Sequence, residues 1–283
     1  MIKAKKFFSV NCINEYNKLK DVIVCPPKFM QIKEAINETQ KQYLLQNINQ
    51  ELAMKQHDQF VQTLQKNGIA VHMLTPDQKY NEQVFTRDIG FSIGNTLCIG
   101  KMQSSIREGE ESVLKTWLDS QHISYYEITS GSIEGGDVIV AEKNIWIGLS
   151  GRTSQEAIDE LKIKFPAYNI LPLVLKKEIL HLDCVFNIIA PHTAIIYKPA
   201  FSEDALASIS KHYHIIEVDE EEQFSMGPNV LSIEPGKILS LPQNVRINEQ
   251  LRQAGFHIIE IDFSELIKSG GSFRCCSLPI VRM

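Results

Sequence analysis

Apolar runs long enough to span a membrane are missing from this 283-residue sequence, since no stretch of about 18 consecutive apolar residues occurs. A secretory signal pattern is missing as well. Residues 1–12 contain three lysines but no apolar run of signal-peptide length. We therefore expect a cytoplasmic protein with no membrane partner.

A surplus of positive charge is also missing. Lys and Arg number 29 against 34 Asp and Glu, which gives a net charge of −5 at pH 7 and a pI near 5.9. Because nucleic-acid binders carry a basic patch or stripe, we expect no nucleic-acid partner. With 43% hydrophobic and 22% charged residues, the composition is that of a globular protein with a sizeable core. We expect one domain over residues 1–283.

Paired cysteine motifs are the third absence. The cysteines form neither a disulfide framework nor a CxxC zinc pattern, and free thiols are the expectation in a reducing cytosol. The sequence has Cys12, Cys25, Cys98, Cys184, Cys275 and Cys276. The first four lie in apolar runs, where packing is their expected role, so a nucleophile is sought in the last two.

An internal repeat is present. Four segments read strand, short turn, strand, helix, strand, each strand being a β-branched or aromatic run bounded by turn residues. They cover residues 88–129, 137–174, 184–219 and 229–262. Ser154, Ser202 and Gly255 supply helix-capping signals. The alternative is an ordinary open α/β sheet whose units resemble one another by chance.

The two chain ends carry the parts of a fifth unit. Residues 21–74 offer a strand, a long helix and a second strand, and residues 272–283 offer one more strand. Pairing between the ends would leave no exposed sheet edge at the seam. The fold class predicted is therefore α/β, a five-bladed β/α-propeller of ββαβ repeats around a pseudo-five-fold axis.

Reactive side chains recur at one phase of this repeat, just before the first strand of each unit. They are Asp88, Glu134, His181, Asn229 and Cys275, spaced 46 to 48 residues apart. Quasi-equivalent positions in a closed ring lie at the same height, so we expect these side chains to converge on one pocket. A thiol, an imidazole and carboxylates in one place form a catalytic constellation.

The residue types point to a planar cation as the substrate. A thiol attacks as the thiolate and needs a base or cation beside it, for which His181 is the natural partner and Glu134 the group that orients it. Asp88 and Asp183 then remain to bind the fork of N–H donors of a guanidinium. Asp137 is either a further substrate ligand or a carboxylate that anchors its loop.

Five motifs carry a family resemblance that covers essentially the whole chain. The sequence resembles the guanidino-group-modifying superfamily of dimethylarginine dimethylaminohydrolases, arginine deiminases and glycine amidinotransferases, which have the pentein fold. The motifs are FTRD (85–88), EGGD (134–137), LSGRTS (149–154), HLDCVFN (181–187) and GGSFRCCS (270–277). The length, without an inserted helical domain, is similar to that of the dimethylarginine hydrolases.

The resemblance implies a role for each site residue. Cys275 is the implied nucleophile, His181 the general acid and base, and Glu134 its partner and a guanidinium ligand. Asp88 is the implied main guanidinium ligand. Two arginines, each after the second strand of its unit, would hold the substrate carboxylate: Arg107 and Arg152. The implied activity is hydrolysis of a guanidino C–N bond to a ureido product such as citrulline, without a cofactor or metal.

Two residues bear on the substrate. Arg87 stands where dimethylarginine hydrolases carry an acidic residue, and Asp183 in the HLD motif is similar to the deiminases, where it clamps the guanidinium. Methylation removes donors from such a clamp, so we expect guanidines with unsubstituted terminal nitrogens to be preferred.

Several alternatives are open at this point. They are an amidinotransferase with the same catalytic residues, a zinc site formed by Cys275, His181 and an aspartate, and a non-catalytic binding protein for arginine-like ligands. Residues 25–31, interrupted by two prolines, are a candidate lid. The oligomeric state is open, with a homodimer as one option.

Overall fold

The computed structural model describes residues 9–283 and shows fifteen strands in that range. In chain order they are β1 (Leu19–Val24), β2 (Ala70–Met73), β3 (Gly90–Ile93), β4 (Thr96–Ile99), β5 (Tyr125–Glu127), β6 (Val138–Ala141), β7 (Asn144–Leu149), β8 (Asn169–Val174), β9 (Phe186–Ala190), β10 (Thr193–Ile196), β11 (His214–Glu217), β12 (Leu231–Glu234), β13 (Lys237–Ser240), β14 (His257–Glu260) and β15 (Leu278–Arg282). Residues 1–8, which hold most of the lysine-rich start used to argue against a signal peptide, lie outside the described residues.

Seven α-helices connect or precede these strands in the described part of the chain. They are α1 (Glu38–Tyr43), α2 (Gln50–Lys66), α3 (Glu111–Gln121), α4 (Gln155–Lys164), α5 (Glu203–Ser210), α6 (Glu220–Phe224) and α7 (Val245–Gln253). The repeat did not predict α1 and α6. Both are short helices whose start is fixed by a side-chain cap, Asn37 for α1 and Asp219 for α6.

The strands form five separate three-stranded sheets. Four of them follow the predicted unit: an antiparallel hairpin, a helix, and a third strand parallel to the second, as in β3–β4–β5 and β6–β7–β8. The alternative of one open sheet is therefore wrong. The predicted caps are confirmed, because Ser154 and Ser202 accept hydrogen bonds from backbone N–H groups of α4 and α5, and Gly255 follows α7 with φ +90°.

The fifth sheet joins the two ends of the chain, as predicted. Strand β15 pairs antiparallel with β1, and β1 pairs parallel with β2. The first strands of neighbouring units also touch, since β15 contacts β3 and β6 contacts β9. The ordering of all five sheets around one axis, the single domain over residues 1–283 and the homodimer stay predictions.

Both faces of the inner strands are buried, which suits their nearly continuous apolar sequences. Strands β3, β6 and β15 have every residue buried. Helix α2 packs Phe60 and Leu64 into the main core with no exposed surface. Rigid, fully packed strands of this kind hold the short segments that precede them, and those segments carry the reactive side chains. No helix within residues 9–283 is long and apolar enough to cross a membrane.

Candidate active site

A small cavity is lined by three of the five side chains predicted from the repeat, Asp88, His181 and Cys275, whereas Glu134 and Asn229 are not among its lining residues. Arg107 and Arg152, which the resemblance assigned, also line it. The other lining residues are Ile36, Asn37, Glu82, Phe85, Leu180, Ser269, Gly270 and Gly271. The cavity leaves about 10 Å³ for the centre of a water molecule, which is room for roughly one water. A wider groove of about 800 Å³ adjoins it and shares Asn37, Leu180 and Gly270.

His181 is held from both sides by carboxylates. Its Nε2 lies 2.8 Å from Glu134 Oε2, and its Nδ1 lies 3.7 Å from Asp88 Oδ1. Burial lowers the pKa of His181, but Asp88 and the hydrogen bond to Glu134 outweigh this effect and raise the pKa to about 9. Burial raises the pKa of Glu134, but the hydrogen bond to His181 outweighs the effect of burial, so the pKa of Glu134 falls below its ordinary value. The imidazole is therefore protonated at neutral pH.

The two glycines of the EGGD motif allow this close approach. A Cβ at Gly136 would lie 2.7 Å from His181 Nδ1 and 2.9 Å from Asp88 Oδ1, and a Cβ at Gly135 would lie 2.2 Å from the carbonyl oxygen of Arg87. A side chain at Gly136 would push His181 and Asp88 apart, and one at Gly135 would clash with the backbone of Arg87. Gly136 is thus required by packing around His181, and Gly135 by the close approach of the segment that carries Asp88.

Cys275 is buried, and its Sγ has two polar neighbours. Asn229 Nδ2 donates to it at 3.1 Å, and Sγ lies 3.5 Å from Asp183 Oδ2. Asn229 Oδ1 also accepts the backbone N–H groups of Ser272 and Cys275, each at 3.1 Å, so one amide fixes the whole loop. Burial and the Asp183 charge raise the pKa of Cys275 well above its ordinary value. In the resting protein the sulfur is a thiol.

This finding changes one expectation. The sequence predicted that His181 would hold the Cys275 thiolate, whereas His181 faces Glu134 and Asp88 and the sulfur faces Asn229 and Asp183. Arg274 interacts electrostatically with Cys275, but it is paired with Asp183 and Glu15, so a further positive charge is needed beside the sulfur, since burial disfavours the thiolate.

Asp183 and Asp137 lie behind the cavity rather than in its lining. Asp183 Oδ2 accepts from Arg274 Nη1 at 2.6 Å, a fully buried ion pair. Asp137 accepts the backbone N–H of Leu182 at 2.8 Å and the Ser150 hydroxyl at 2.6 Å. Asp183 is nevertheless 3.5 Å from Cys275 Sγ, so its contact with a substrate stays a prediction. Asp137 has the loop-anchoring role that was its alternative interpretation, and it holds the turn that carries His181.

Glu15 was missed by the sequence reasoning. Its carboxylate lies 3.2 Å from Arg274 Nη2 and 3.6 Å from Arg87 Nη1. Burial raises the pKa of Glu15, but the charges of Arg274 and Arg87 outweigh this effect and lower the pKa to about 2. The Arg87 side chain, which stands where an acidic residue was expected from the dimethylarginine hydrolases, therefore has a buried partner. No motif or periodicity marks Glu15, which lies in an irregular segment before β1.

The two arginines assigned to the substrate carboxylate lie at the cavity, and both are engaged by the protein's own carboxylates. Arg107 Nη1 donates to Asp88 Oδ2 at 2.5 Å, and its Nη2 donates to Glu110 Oε2 at 2.8 Å. Arg152 Nη1 lies 3.5 Å from Glu134 Oε1. Both follow the second strand of their units, as predicted.

Two further expectations can be placed. Residues 25–31, the candidate lid, do not line the cavity; Ile36 and Asn37, before α1, are the lining residues from this region. All six cysteines are free and buried, as expected. Burial raises the pKa of Cys12 and of Cys25 to about 12, consistent with packing roles.

One group of potential metal ligands is found among residues 9–283, and it consists of Asp88, Glu134 and His181. Cys275 is not a member, so the geometry does not support the zinc alternative that required its thiolate. The guanidinium groups of Arg107 and Arg152 already face the two carboxylates. A divalent metal ion bound here would lie next to these two positive charges, which makes the group a poor metal site.

The fold and site together define an α/β protein in which five small sheets place a thiol, an imidazole and carboxylates around one cavity. A family model described as "N,N dimethylarginine dimethylhydrolase, eukaryotic" matches residues 26–282. The chain therefore belongs to this family, and the resemblance seen in the motifs is confirmed.

Individual relatives and structures extend this result. The chain is 48% identical over 271 residues to "Uncharacterized protein YkgA" of Bacillus subtilis strain 168, covering 96% of this chain and 95% of that one. It is 30% identical over 318 residues to an arginine deiminase of Bacillus cereus strain B4264, covering 87% and 75%. The N-terminal domain of ArgZ, an arginine dihydrolase of cyanobacteria, has the same fold, with a TM-score of 0.86 at 22% identity over 94% of this chain and 98% of that one.

Proposed function

We propose that the protein is a cysteine-dependent hydrolase of a guanidino compound, built as a five-bladed propeller, which releases ammonia or an amine and leaves a ureido product. The single observation that carries this proposal is the shared cavity of Cys275, His181 and Asp88. Family membership supports it, because dimethylarginine hydrolysis is a reaction at the guanidino carbon. The six free cysteines support a reducing compartment such as the cytoplasm.

The guanidinium itself is the cation that activates the sulfur. Asp88 Oδ1 is buried, lacks a hydrogen-bond partner and faces the cavity beside His181. A guanidinium N–H donated to this oxygen would bring positive charge next to Cys275 and lower the pKa of its thiol. The thiolate then forms a bond from Sγ to the guanidinium carbon.

His181 handles the protons in two steps. Since its pKa is raised to about 9, it enters the reaction protonated and donates to the leaving nitrogen as the C–N bond breaks. Ammonia leaves and a cationic amidino-enzyme remains, while the proton released by the Cys275 thiol passes to solvent and converts the ammonia to ammonium. Neutral His181 then takes a proton from water as the water oxygen bonds to carbon, and the C–S bond breaks as the product hydroxyl proton returns to the Cys275 sulfur. Overall one water is consumed and ammonium and a ureido compound are formed.

The preferred substrates in this proposal have unsubstituted terminal nitrogens. Asp88 lines the cavity with Oδ1 accepting no hydrogen bond, so this oxygen can accept from a terminal guanidinium nitrogen, whereas both oxygens of Glu134 are engaged by the protein. Asymmetric dimethylation removes both donors from one nitrogen and leaves a buried acceptor unpaired. Asp183, whose Oδ2 lies 3.5 Å from Cys275 Sγ and accepts from Arg274, is a second proposed acceptor for the guanidinium.

The test is a substrate panel of arginine, methylated arginines, agmatine and guanidino acids, with products identified by mass spectrometry. The matched variants are Cys275→Ser and Cys276→Ala, adjacent residues of the turn before β15, of which Cys275 lines the cavity and Cys276 packs in the core. We expect turnover by wild type and Cys276→Ala, and loss of about a thousandfold or more in Cys275→Ser. Equal losses in both variants would contradict the assignment. An added amine acceptor that captures the amidino group would identify transfer instead of hydrolysis.

A further inference from the structure

Arg107 carries the same chemical group as the proposed substrate, and it lies where the substrate must bind. Its outermost nitrogen Nη1 donates to Asp88 Oδ2 at 2.5 Å, while Nε and Nη2 donate to Glu110 Oε2 at 3.1 and 2.8 Å. All three residues are at least 97% buried. One arginine thus bridges an anchoring carboxylate and the carboxylate proposed to hold the guanidinium.

The bridge leaves the site half occupied. Oδ2 of Asp88 accepts from Arg107, and Oδ1 accepts no hydrogen bond, with His181 Nδ1 3.7 Å away. The cavity has room for roughly one water, so a guanidinium cannot enter while every lining group stays in place. A substrate guanidinium that uses both Asp88 oxygens has to displace Arg107 Nη1.

Glu110 makes such a displacement feasible. It holds Arg107 through the two nitrogens that do not touch Asp88, and its own Oε1 has no partner. Arg107 can therefore release Asp88 and keep a paired charge. The freed Nη1 needs a new acceptor, and the carboxylate of an amino-acid substrate would provide one.

We propose that Arg107 is a specificity-determining residue that competes with the substrate guanidinium for Asp88 and releases it when a substrate carboxylate arrives. The inference rests on the proposed function of this site and adds a selection rule to it. A guanidine with a carboxylate replaces the ion pair that it breaks. A guanidine without a carboxylate, such as agmatine, breaks the ion pair and offers no new acceptor to Arg107. We expect its binding to be weaker by about tenfold, since losing a charge-assisted pair weakens binding by on the order of a factor of ten.

The variant Arg107→Lys tests this competition without removing a charge. A lysine ammonium is a point charge at the end of a shorter side chain, so it can stay on Glu110, which the inner Nε already contacts, but cannot bridge to Asp88. Because the positive charge at position 107 is kept, a change in guanidinium affinity reports that Asp88 has become free, and not that repulsion between two cations has been removed. Arg152→Lys is the matched control, because Arg152 lies beside Glu134 instead of Asp88.

The assay is the rate at which chloroacetamidine alkylates Cys275, since this amidine has the planar cation and lacks a carboxylate. The Cys275 thiolate displaces chloride and forms a thioether, which mass spectrometry detects whether or not the protein turns over any substrate. We expect labelling to be about tenfold faster in Arg107→Lys and unchanged in Arg152→Lys, with KM for arginine raised in both and kcat changed less.

Labelling of Arg107→Lys at the wild-type rate or more slowly would overturn the inference, because an arginine that only holds the substrate carboxylate or only stabilises the fold gives that result. If Arg107→Lys does not fold, the double variant R107Q/E110Q, which removes one charge of each sign, is measured against the same criterion. Wild-type protein that labels but turns over no guanidino compound would refute the hydrolase function separately.

Discussion

Replacing Glu134 by Gln removes one of the two carboxylates that keep His181 protonated while preserving the shape of the side chain. Glu134 Oε2 lies 2.8 Å from His181 Nε2, and neither side chain is more than 2% exposed. A hydrogen bond to a charged group contributes about 1.5–3 kcal/mol, which corresponds to a shift of roughly 1–2 pKa units. We therefore expect the pKa of His181 to fall from about 9 to about 7–8 in Glu134→Gln.

The same shift has a consequence for stability. Because the pKa of His181 in the folded state is raised from 6.5 to about 9, its contribution is fully present below about pH 6.5 and is lost as pH rises through about 9. The full contribution is on the order of 3 kcal/mol. Glu134→Gln should therefore lose more stability relative to wild type at pH 6 than at pH 9.5.

Two measurements check this reasoning. The imidazole of His181 is titrated by NMR in labelled protein, with His181→Gln used to assign its signal, and urea denaturation gives the free energy of unfolding at both pH values. Glu82→Gln is the control for the change of shape, since Glu82 is a buried carboxyl group of the same cavity that bonds to Gln40 and Ser269, and burial raises its pKa to about 8. A His181 pKa that stays within about 0.3 units of wild type in Glu134→Gln would show that Glu134 does not set its protonation.

Two further predictions concern Arg274 and the substrate. Arg274→Met should lower the free energy of unfolding by about 3–5 kcal/mol in urea denaturation, because it leaves the buried carboxylate of Asp183 without its cation and leaves Glu15 with Arg87 alone, and an unchanged stability would contradict the ion-pair assignment. Arginine should have a kcat/KM about 5- to 150-fold above that of asymmetric dimethylarginine in a steady-state assay. A preference of the wild type for the dimethylated compound would show that the site does not exclude methyl groups.

Residues repeated in phase could be predicted from the sequence, and residues defined by a partner could not. Asp88, Glu134, His181 and Cys275 occupy equivalent positions in units of similar length, so spacing alone places them at the same end of their sheets. The fifth unit followed from the same reasoning. The C-terminal segment offered one strand without a partner, and the N-terminal segment offered two strands without the hairpin that the other units have. Residues 278–282 do pair with the N-terminal strands.

The partner of each charged side chain depends on contacts between segments far apart in the chain. Glu15 meets Arg274 across 259 positions, and Asp183 meets Arg274 across 91. Periodicity carries no information on such pairs, because a buried charge is satisfied by whichever opposite charge the packed units bring close. Assigning Asp183 and Arg107 to the substrate from motifs therefore overlooked the internal ions that already bind them.

These internal pairs make substrate binding an exchange of ion pairs. An unpaired carboxylate in a cavity this dry would be too costly to keep ionised, so the resting protein needs a cation beside each one. The affinity for a guanidinium is then the difference between two ion pairs, which is small compared with either. Substrate groups that bind to the displaced arginines therefore decide which guanidines bind. The pairs at issue are Asp88 with Arg107, Glu134 with Arg152 and Asp183 with Arg274.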